Sequence, residues 1–250
     1  MYHPILDTME ANINFMSIWE SEAMSFPWLK RIFSRPKLPA KKLITPQVIG
    51  NCCSGIQLGN SLVRSVIFST DMALIENNDA DAVLAVYPFA PSPKIMKSLI
   101  DFAEKPVICG VGGGLTQGKV SLEMAIVAEN YGAVAIIVNQ PFKNKHIELI
   151  KKKIKIPVIS SISVAGFPIR DRANAGVDIF HVTGGVNTSA IIEHIQYAAP
   201  GYPIISTGGK TVESIRTSIK SGANAIVLSP PSSGELFKGI MSQYRKGLII

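Results

Sequence analysis

The sequence predicts an α/β protein built as a single (β/α)8 barrel, and three observations support this. Eight short runs rich in β-branched residues recur along the 250-residue chain. Every gap between two runs is long enough to hold a helix, as alternating strands and helices require. The runs also open alike, four with a proline and three directly after a glycine. They are PQVIG (46–50), AVLAV (82–86), PVICG (106–110), AVAIIV (133–138), PVISS (157–161), VDIFHV (177–182), PIIST (203–207) and ANAIVL (223–228).

The gaps carry helix patterns, and several end at a glycine that can adopt the left-handed conformation of a helix cap. The stretch between Cys53 and Ser69 is longer than most connections. We expect a hairpin or lid there, beside the first strand, with Gly55 and Gly59 in its turns. Helices are expected at roughly 69–78, 93–104, 117–131, 143–153, 168–175, 188–198, 211–221 and 234–245.

Residues 1–40 stand outside the repeat, so the sequence divides into a helical arm and a barrel over residues 41–250. The arm fits an appendage that packs on the barrel, or on a partner subunit in a homo-oligomer. It also fits an amphipathic segment on a membrane surface. The acidic residues Glu10, Glu20 and Glu22 favour packing.

Composition indicates a cytoplasmic protein with no integral membrane segment. The 47% hydrophobic content is ample for a closed core. No apolar run approaches the roughly 20 residues that cross a bilayer, and no secretory pattern opens the chain. The three cysteines are therefore expected as reduced thiols. The net charge of +7 is spread over helix faces, which argues against a nucleic acid partner but suits an anionic small substrate.

The shared glycine punctuation predicts which side chains face the barrel interior. Counting from Gly132, Gly176 and Gly222, one alternating set is wholly apolar and bulky, as a face covered by helices should be. The other set then lines the interior and its mouth. The polar members of that set are Asn139, His181, Thr183 and Ser229. The same count places Cys109 against a helix.

Other candidates lie where predicted strands end. Asn51, Cys52 and Cys53 directly follow the first predicted strand, and one of the two thiols should face the mouth, as a nucleophile or as a small buried residue. Ser161 ends the fifth strand. Tyr87 ends the second strand, where it donates a proton or simply packs.

The strongest functional signal is the segment 203–237. Its first strand ends in two glycines whose bare backbone can approach an anion, and a helix starts at once. Its second strand leads through a loop rich in serine and proline to another helix start. Two helix N-termini that converge on one spot favour the binding of an anion there.

This segment resembles the phosphate-binding (β/α)8 barrels, the superfamily of ribulose-phosphate-binding barrels. That group includes the histidine-biosynthesis isomerase and cyclase, N-acylmannosamine-phosphate epimerases, phosphogluconate-type aldolases, and flavin barrels such as inosine-monophosphate dehydrogenase. The likeness covers the last three strands well and the remainder only as architecture. The resemblance implies a phosphate group held by Gly208, Gly209, Ser232 and Ser233, with Thr207, Gly184 and Gly185 nearby.

The key residues of these relatives are missing here. The histidine-pathway barrels use aspartates at two opposed strand ends, where this chain has Asn51 and Ser161 or Ser163. The Schiff-base aldolases need a lysine inside the barrel, and the eight runs contain none. The nucleotide dehydrogenases place a cysteine in a loop where this chain has none. The sequence thus indicates a phosphate without naming the reaction.

His181 is the best candidate acid or base, because it is a histidine at an inward strand position. It is otherwise a core histidine bonded to Ser206 or Thr207. Lys210 either pairs with the phosphate or is a solvated residue at a helix start. The catalytic candidates are His181, Asn139, Cys53 and Tyr87. The other expected substrate contacts are Asn51, Ser161, Thr183, Lys210 and Ser229.

We therefore expect an enzyme that acts on a small phosphorylated metabolite by acid/base chemistry, as an isomerase, epimerase or lyase. Three alternatives remain: a hydrolase of a small phosphorylated or carbonyl substrate, an oxidoreductase that binds FMN against the glycine loop 110–114, and a non-catalytic barrel that senses a phosphometabolite. No metal site is expected, since the four histidines are scattered and no carboxylate cluster joins them.

Overall fold

The computed structural model describes residues 43–114, 116–209 and 211–247, and eight parallel strands form a closed barrel within them. The barrel strands are β3 Ser65–Phe68, β4 Ala82–Ala85, β5 Val107–Gly112, β6 Ala135–Val138, β7 Val158–Ile162, β8 Ile179–Val182, β9 Ile204–Thr207 and β10 Ala225–Leu228. They follow one another around the barrel in chain order, and β10 pairs with β3 to close it. The predicted fold class is confirmed.

Helices stand between the barrel strands, and each of the eight predicted helices is present. The helices are α1 Gln47–Cys52, α2 Met72–Glu76, α3 Pro93–Phe102, α4 Lys119–Tyr131, α5 Asn144–Lys151, α6 Ile169–Asn174, α7 Thr188–Ala198, α8 Val212–Lys220 and α9 Ser233–Arg245. Gly132, Gly176 and Gly222 all have positive φ just after a helix, as expected of caps.

The first predicted strand is wrong. The run at 46–50 forms the start of α1, in which Pro46 is the N-cap and Val48 and Ile49 are buried. Proline suits a helix start because its missing N–H needs no partner there, and a run of five residues is too short for its periodicity to separate helix from strand. The strand that opens the barrel is β3, which pairs with β4 and β10 and was included in the predicted long connection.

The remainder of that connection is a hairpin, as predicted, but it lies at the opposite end of the barrel from the mouth. Its strands, β1 Ile56–Leu58 and β2 Ser61–Val63, pair antiparallel. The hairpin's buried apolar side chains join the apolar cluster of the barrel interior. The Gly55 N–H donates to the Asn224 carbonyl, which precedes β10. The hairpin therefore closes the amino-terminal end of the barrel.

Two apolar layers meet across the barrel wall, as the alternation predicted. The inner layer contains Ala135, Ile137, Ile159, Ile179, Ile205, Ala225 and Val227, with the hairpin below them. The outer layer contains Ile136, Val138, Phe180, Val182 and Ile226, which pack with residues of the helices. Cys109 lies in the outer layer, and burial raises the pKa of its thiol to about 12, so it is a packing residue as predicted.

Three side chains clamp the starts of barrel strands together. Asp81, Asp178 and Asn224 each directly precede a strand, and each side-chain oxygen accepts the N–H that opens the neighbouring strand. The bonds run from Ser65 N to Asp81 (2.9 Å), from Val158 N to Asp178 (2.7 Å) and from Ile204 N to Asn224 (2.8 Å). These bonds fix the registers of three strand pairs at the amino-terminal end.

The chain separates into two compact units. Residues 42–237 form the barrel unit, and the described residues from Lys238 onward, most of α9, belong to the other. The predicted arm, residues 1–40, lies outside the described residues. None of the described helices combines the length and apolar character needed to span a membrane.

The clamps predict that replacing two different aspartates will lower the stability of the protein by different amounts. Asp178→Ala should lower the free energy of unfolding by about 1–3 kcal/mol, because it leaves the Val158 N–H and Lys151 without their partner. Within the described part of the chain, the exposed Asp101 pairs with Lys97 on its own helix, so Asp101→Ala should cost less than about 0.5 kcal/mol. Urea unfolding of both variants measures this, and equal losses would contradict the clamp.

Candidate functional site

His181 lies at the mouth of the barrel between two hydroxyls. The imidazole is 5% exposed. Its Nδ1 lies 3.0 Å from Ser161 Oγ on β7, and its Nε2 lies 3.0 Å from Thr207 Oγ1 at the end of β9. Thr207 is one of the two partners named from the sequence for the alternative of a core histidine at this position. Strand pairing thus builds a hydrogen-bonded chain of three side chains from three adjacent strands.

Burial lowers the pKa of His181 to about 4. The ring is therefore neutral at pH 7, with one nitrogen protonated and the other able to accept a proton. Because a hydroxyl both donates and accepts, either tautomer of the ring keeps both hydrogen bonds. The chain from Ser161 through His181 to Thr207 can thus pass a proton between two hydroxyls.

A cavity of about 910 Å³ opens beside Thr207, and we call it the Thr-Gly-Gly lobe. Two turns of the same sequence, 183–185 and 207–209, form much of its wall, and each leads into a helix. The hydroxyls at these helix starts are ordered: Thr188 Oγ1 donates to Gly185 O, and Thr211 Oγ1 accepts from Ser214 N. The polar and glycine lining is His181, Thr183, Gly185, Thr188, Ser189, Thr207, Gly208, Gly209, Thr211, Ser214, Thr217, Ser218 and Ser229.

Glycine is required in both turns by close packing. A Cβ at Gly209 would lie 2.0 Å from Ser214 Oγ, and one at Gly208 would lie 2.8 Å from Ile226 Cγ2. At Gly184 it would lie 2.4 Å from Ile191 Cδ1. Packing thus excludes a side chain at Gly184, Gly208 and Gly209, and Gly185, Gly208 and Gly209 line the cavity.

The structure does not bring Ser232 and Ser233 into this lobe. The N–H and hydroxyl of Ser232 both donate to the Glu235 carboxylate at 2.8 Å. Ser233 donates to Asp71, and this bond lowers the pKa of the Asp71 carboxyl. A phosphate placed on these serines would meet two carboxylates. Ser232 and Ser233 are therefore unfavourable contacts for an anion, and the Thr-Gly-Gly lobe lies beside the loops after β8 and β9 instead.

Asn51 and Cys53 lie far from the mouth, because the run before them is a helix and not a strand. Ser54, the next residue, accepts a hydrogen bond from Asn224 at the amino-terminal end of the barrel. Cys53 is 5% exposed, and burial raises its pKa to about 11. Its carbonyl accepts from Arg64 Nε. The two candidates are corrected: Cys53 is a buried packing residue, and Asn51 is an exposed residue of α1.

On the other side of His181 lie two smaller lobes. The central lobe, about 390 Å³, lies beside Ser161, and the glycine-loop lobe, about 140 Å³, lies over the loop after β5. Asn139 lines both lobes. Its side-chain amide lies so close to Gly113 that a Cβ on that glycine would collide with it. Tyr87 lines the glycine-loop lobe, and its hydroxyl accepts from Ser92 N at the start of α3.

A buried arginine that sequence reasoning missed fixes the loop after β6. Arg172, on α6, is 2% exposed and donates to the carbonyls of Gln140 (2.7 Å) and Phe142 (2.6 Å). The Gln140 side chain in turn accepts from Ser163 N at 2.7 Å. An arginine on an outer helix normally suggests solvent exposure, so no signal in the sequence distinguished it.

Sequence reasoning also missed Thr188, Ser189, Thr211 and Ser214. A signal for them exists, since Thr-Gly-Gly occurs twice and a further threonine follows each copy shortly afterwards, where a helix starts.

Lys210 lies outside the described residues. Among the residues that the structure describes, no group of three His, Cys, Asp or Glu side chains is placed to hold a metal ion.

Solved structures share the barrel at low sequence identity. A phosphoenolpyruvate phosphomutase from Streptomyces platensis subsp. rosaceus is 14% identical with a TM-score of 0.56, covering 75% of this chain and 82% of that one. A 2,3-dimethylmalate lyase, described as a member of the PEP mutase/isocitrate lyase superfamily, is 13% identical with a TM-score of 0.56, covering 81% and 85%. A dihydrodipicolinate synthase from Aquifex aeolicus is 16% identical with a TM-score of 0.52, covering 75% and 76%.

These neighbours establish the shared fold and do not single out the ribulose-phosphate-binding barrels. No family model matches the chain.

The buried imidazole predicts how stability depends on pH. In the unfolded chain His181 titrates near 6.5 and in the folded chain near 4, so between these values the unfolded state holds the extra proton. Stability should therefore fall as the pH drops from 6.5 to 4, by on the order of 3 kcal/mol from this group. Urea unfolding across this range should show the loss in wild type and in His194→Gln, and not in His181→Gln. Parallel curves for all three proteins would contradict the burial of a neutral His181.

Proposed function

We propose that this protein is an enzyme that moves a proton on a small phosphorylated metabolite, as an isomerase, epimerase or lyase. The observation that most directly supports this proposal is the contact between His181 and Thr207 at the edge of the Thr-Gly-Gly lobe. The proposed proton-transfer group thus lies directly beside the cavity proposed to hold the anion. Active sites of this fold lie at the carboxyl ends of the strands, where both features are found.

The phosphate is proposed to bind between the two Thr-Gly-Gly turns. The hydroxyls of Thr188, Thr211 and Ser229 line this lobe, and hydroxyls and backbone amides are the groups that commonly hold phosphate oxygens. The start of α7 adds a favourable electrostatic contribution, since no acidic side chain occupies its first turn. Asn139, Ser161 and Thr183 would contact the rest of the substrate.

His181 is proposed to act through its neutral form. Nε2 accepts the hydroxyl proton of Thr207 as Thr207 takes a proton from the substrate, and Nδ1 donates its proton to Ser161, whose own hydroxyl proton returns to the substrate. Positioned acid/base groups of this kind contribute a rate factor of roughly 100 to 10,000. The fold neighbours include a phosphomutase, a lyase and a phosphonopyruvate hydrolase, which is compatible with an enzyme of lyase or isomerase type.

A flavin enzyme is the second candidate, on the evidence of the glycine-loop lobe. Gly112, Gly113 and Gly114 line this lobe with bare backbone, against which a flat ring could lie. FMN is therefore one of the ligands in the binding test below.

Ser229 offers a test of the phosphate site with a matched control. Ser229→Asp places a carboxylate in the lobe, whereas Ser229→Asn adds similar bulk without charge. A phosphorylated ligand at 100 times its Kd should stabilise wild type and the Asn variant by about 2.7 kcal/mol, which raises Tm by several degrees, and should not stabilise the Asp variant. Thermal shifts with inorganic phosphate, sugar phosphates and FMN measure this. An equal response from all three proteins would place the ligand elsewhere.

Proton transfer itself can be tested with the ligands that stabilise the protein. In deuterated water, wild type should exchange a carbon-bound hydrogen of its substrate, which NMR detects as loss of a proton signal. His181→Gln should slow this exchange at least about 100-fold while the phosphate-dependent shift in Tm is kept. Unchanged exchange in that variant would remove His181 from the chemistry.

A further inference from the structure

The Thr-Gly-Gly lobe continues across the mouth into the two smaller lobes. Phe68 and Leu84 line both the Thr-Gly-Gly lobe and the central lobe. Val86 and Ile137 line both the central lobe and the glycine-loop lobe. A ligand anchored by a phosphate at the loops after β8 and β9 therefore has a continuous path past His181 to the loop after β5.

The path beyond the phosphate lobe is walled by apolar side chains. Leu84 and Ile137, each 3% exposed, form its buried floor. Phe68 is 40% exposed and Phe89 is 77% exposed, so two aromatic side chains at its edge are open to solvent. Covering exposed aromatic surface with an apolar group is favourable in proportion to the area removed from water.

The far end of the path is a surface of bare peptide groups. A Cβ on Gly112 would lie 2.3 Å from Ser121 Oγ, and a Cβ on Gly113 would lie 2.7 Å from Asn139 Nδ2, so packing keeps both positions without side chains. At Gly114 a Cβ would meet no atom within 4 Å, which leaves this residue open. Flat peptide planes next to aromatic and aliphatic side chains suit a flat ring.

The lining that faces this path is also neutral. The described residues lining the three lobes include no Asp, Glu, Lys or Arg, and His181 is uncharged at pH 7. The central lobe also has five polar side chains besides His181, namely Asn139, Gln140, Ser161, Ser163 and Thr183. Several of them are already bonded to one another, Ser161 to His181 and Ser163 to Gln140, which leaves few hydrogen-bonding groups for a ligand. Such a surface recognises an uncharged body with few hydrogen-bonding groups.

We propose that the substrate is a phosphate monoester of a flat, uncharged, largely apolar alcohol, whose ring packs on Phe68 while its phosphate occupies the Thr-Gly-Gly lobe. This rests on the proposed function and narrows its substrate class. Sugar phosphates, whose many hydroxyls need many partners, are the disfavoured class. The bond that reacts would lie next to His181, where the apolar path meets the phosphate lobe.

The test compares phenyl phosphate, glycerol 3-phosphate, inorganic phosphate and phenol by isothermal titration calorimetry. Wild type should bind phenyl phosphate at least tenfold more tightly than glycerol 3-phosphate. Phe68→Ala should remove that preference and change the Kd of inorganic phosphate by less than twofold. The matched control is Phe102→Ala, which truncates a phenylalanine of similar exposure, 38%, that lines none of the three lobes, and this variant should keep the preference.

Each other outcome has a separate meaning. If glycerol 3-phosphate binds as tightly as phenyl phosphate, this inference is overturned while the phosphate site stands. If phenol binds as tightly as phenyl phosphate, the phosphate is not part of recognition and the inference fails. If no phosphorylated compound binds, inorganic phosphate included, the proposed function fails and this inference fails with it.

Discussion

Closure of the parallel barrel is the constraint on which the site depends. Because side chains alternate across each strand, closing the sheet commits one set of residues to the interior and the other to the helices. His181 therefore points inward with Ile179, and its neighbours in the sheet can only be side chains from β7 and β9. The chain of Ser161, His181 and Thr207 is a consequence of strand register and needs no special loop.

Most strands with a proline or glycine at their start were predictable from sequence, whereas β3, which has neither, was missed. Seven of the predicted runs became barrel strands at the expected positions, and six of these open with proline or follow a glycine. β3, Ser65–Phe68, has neither residue at its edge and follows a hairpin closely, so it was hidden in a long connection. The sequence pattern instead predicted the first strand at Pro46–Gly50. Two buried apolar residues there fit a short helix as readily as a strand.

The same distinction between local patterns and contacts formed on folding applies to the candidate site. The inward position of His181 followed from alternation, and its contact with Thr207 was named beforehand for the alternative of a core histidine. The roles of Ser232 and Ser233 depend on which carboxylates reach them, and Arg172 depends on which carbonyls are left facing it. Such partners lie far apart in the chain and become visible only after folding. The repeat of the Thr-Gly-Gly turn is a different case from these partners, because both copies can be seen in the sequence.

The bond between Asn224 and Ser54 joins residues 170 positions apart, and it lies where the hairpin meets the last barrel strand. Contacts between such distant residues form only after a large loop has closed, which is slow. During synthesis on the ribosome, β3 therefore waits with one edge unpaired until β10 emerges. An unpaired strand edge can pair with another chain, so the incomplete barrel carries an edge prone to aggregation until its last strand is added.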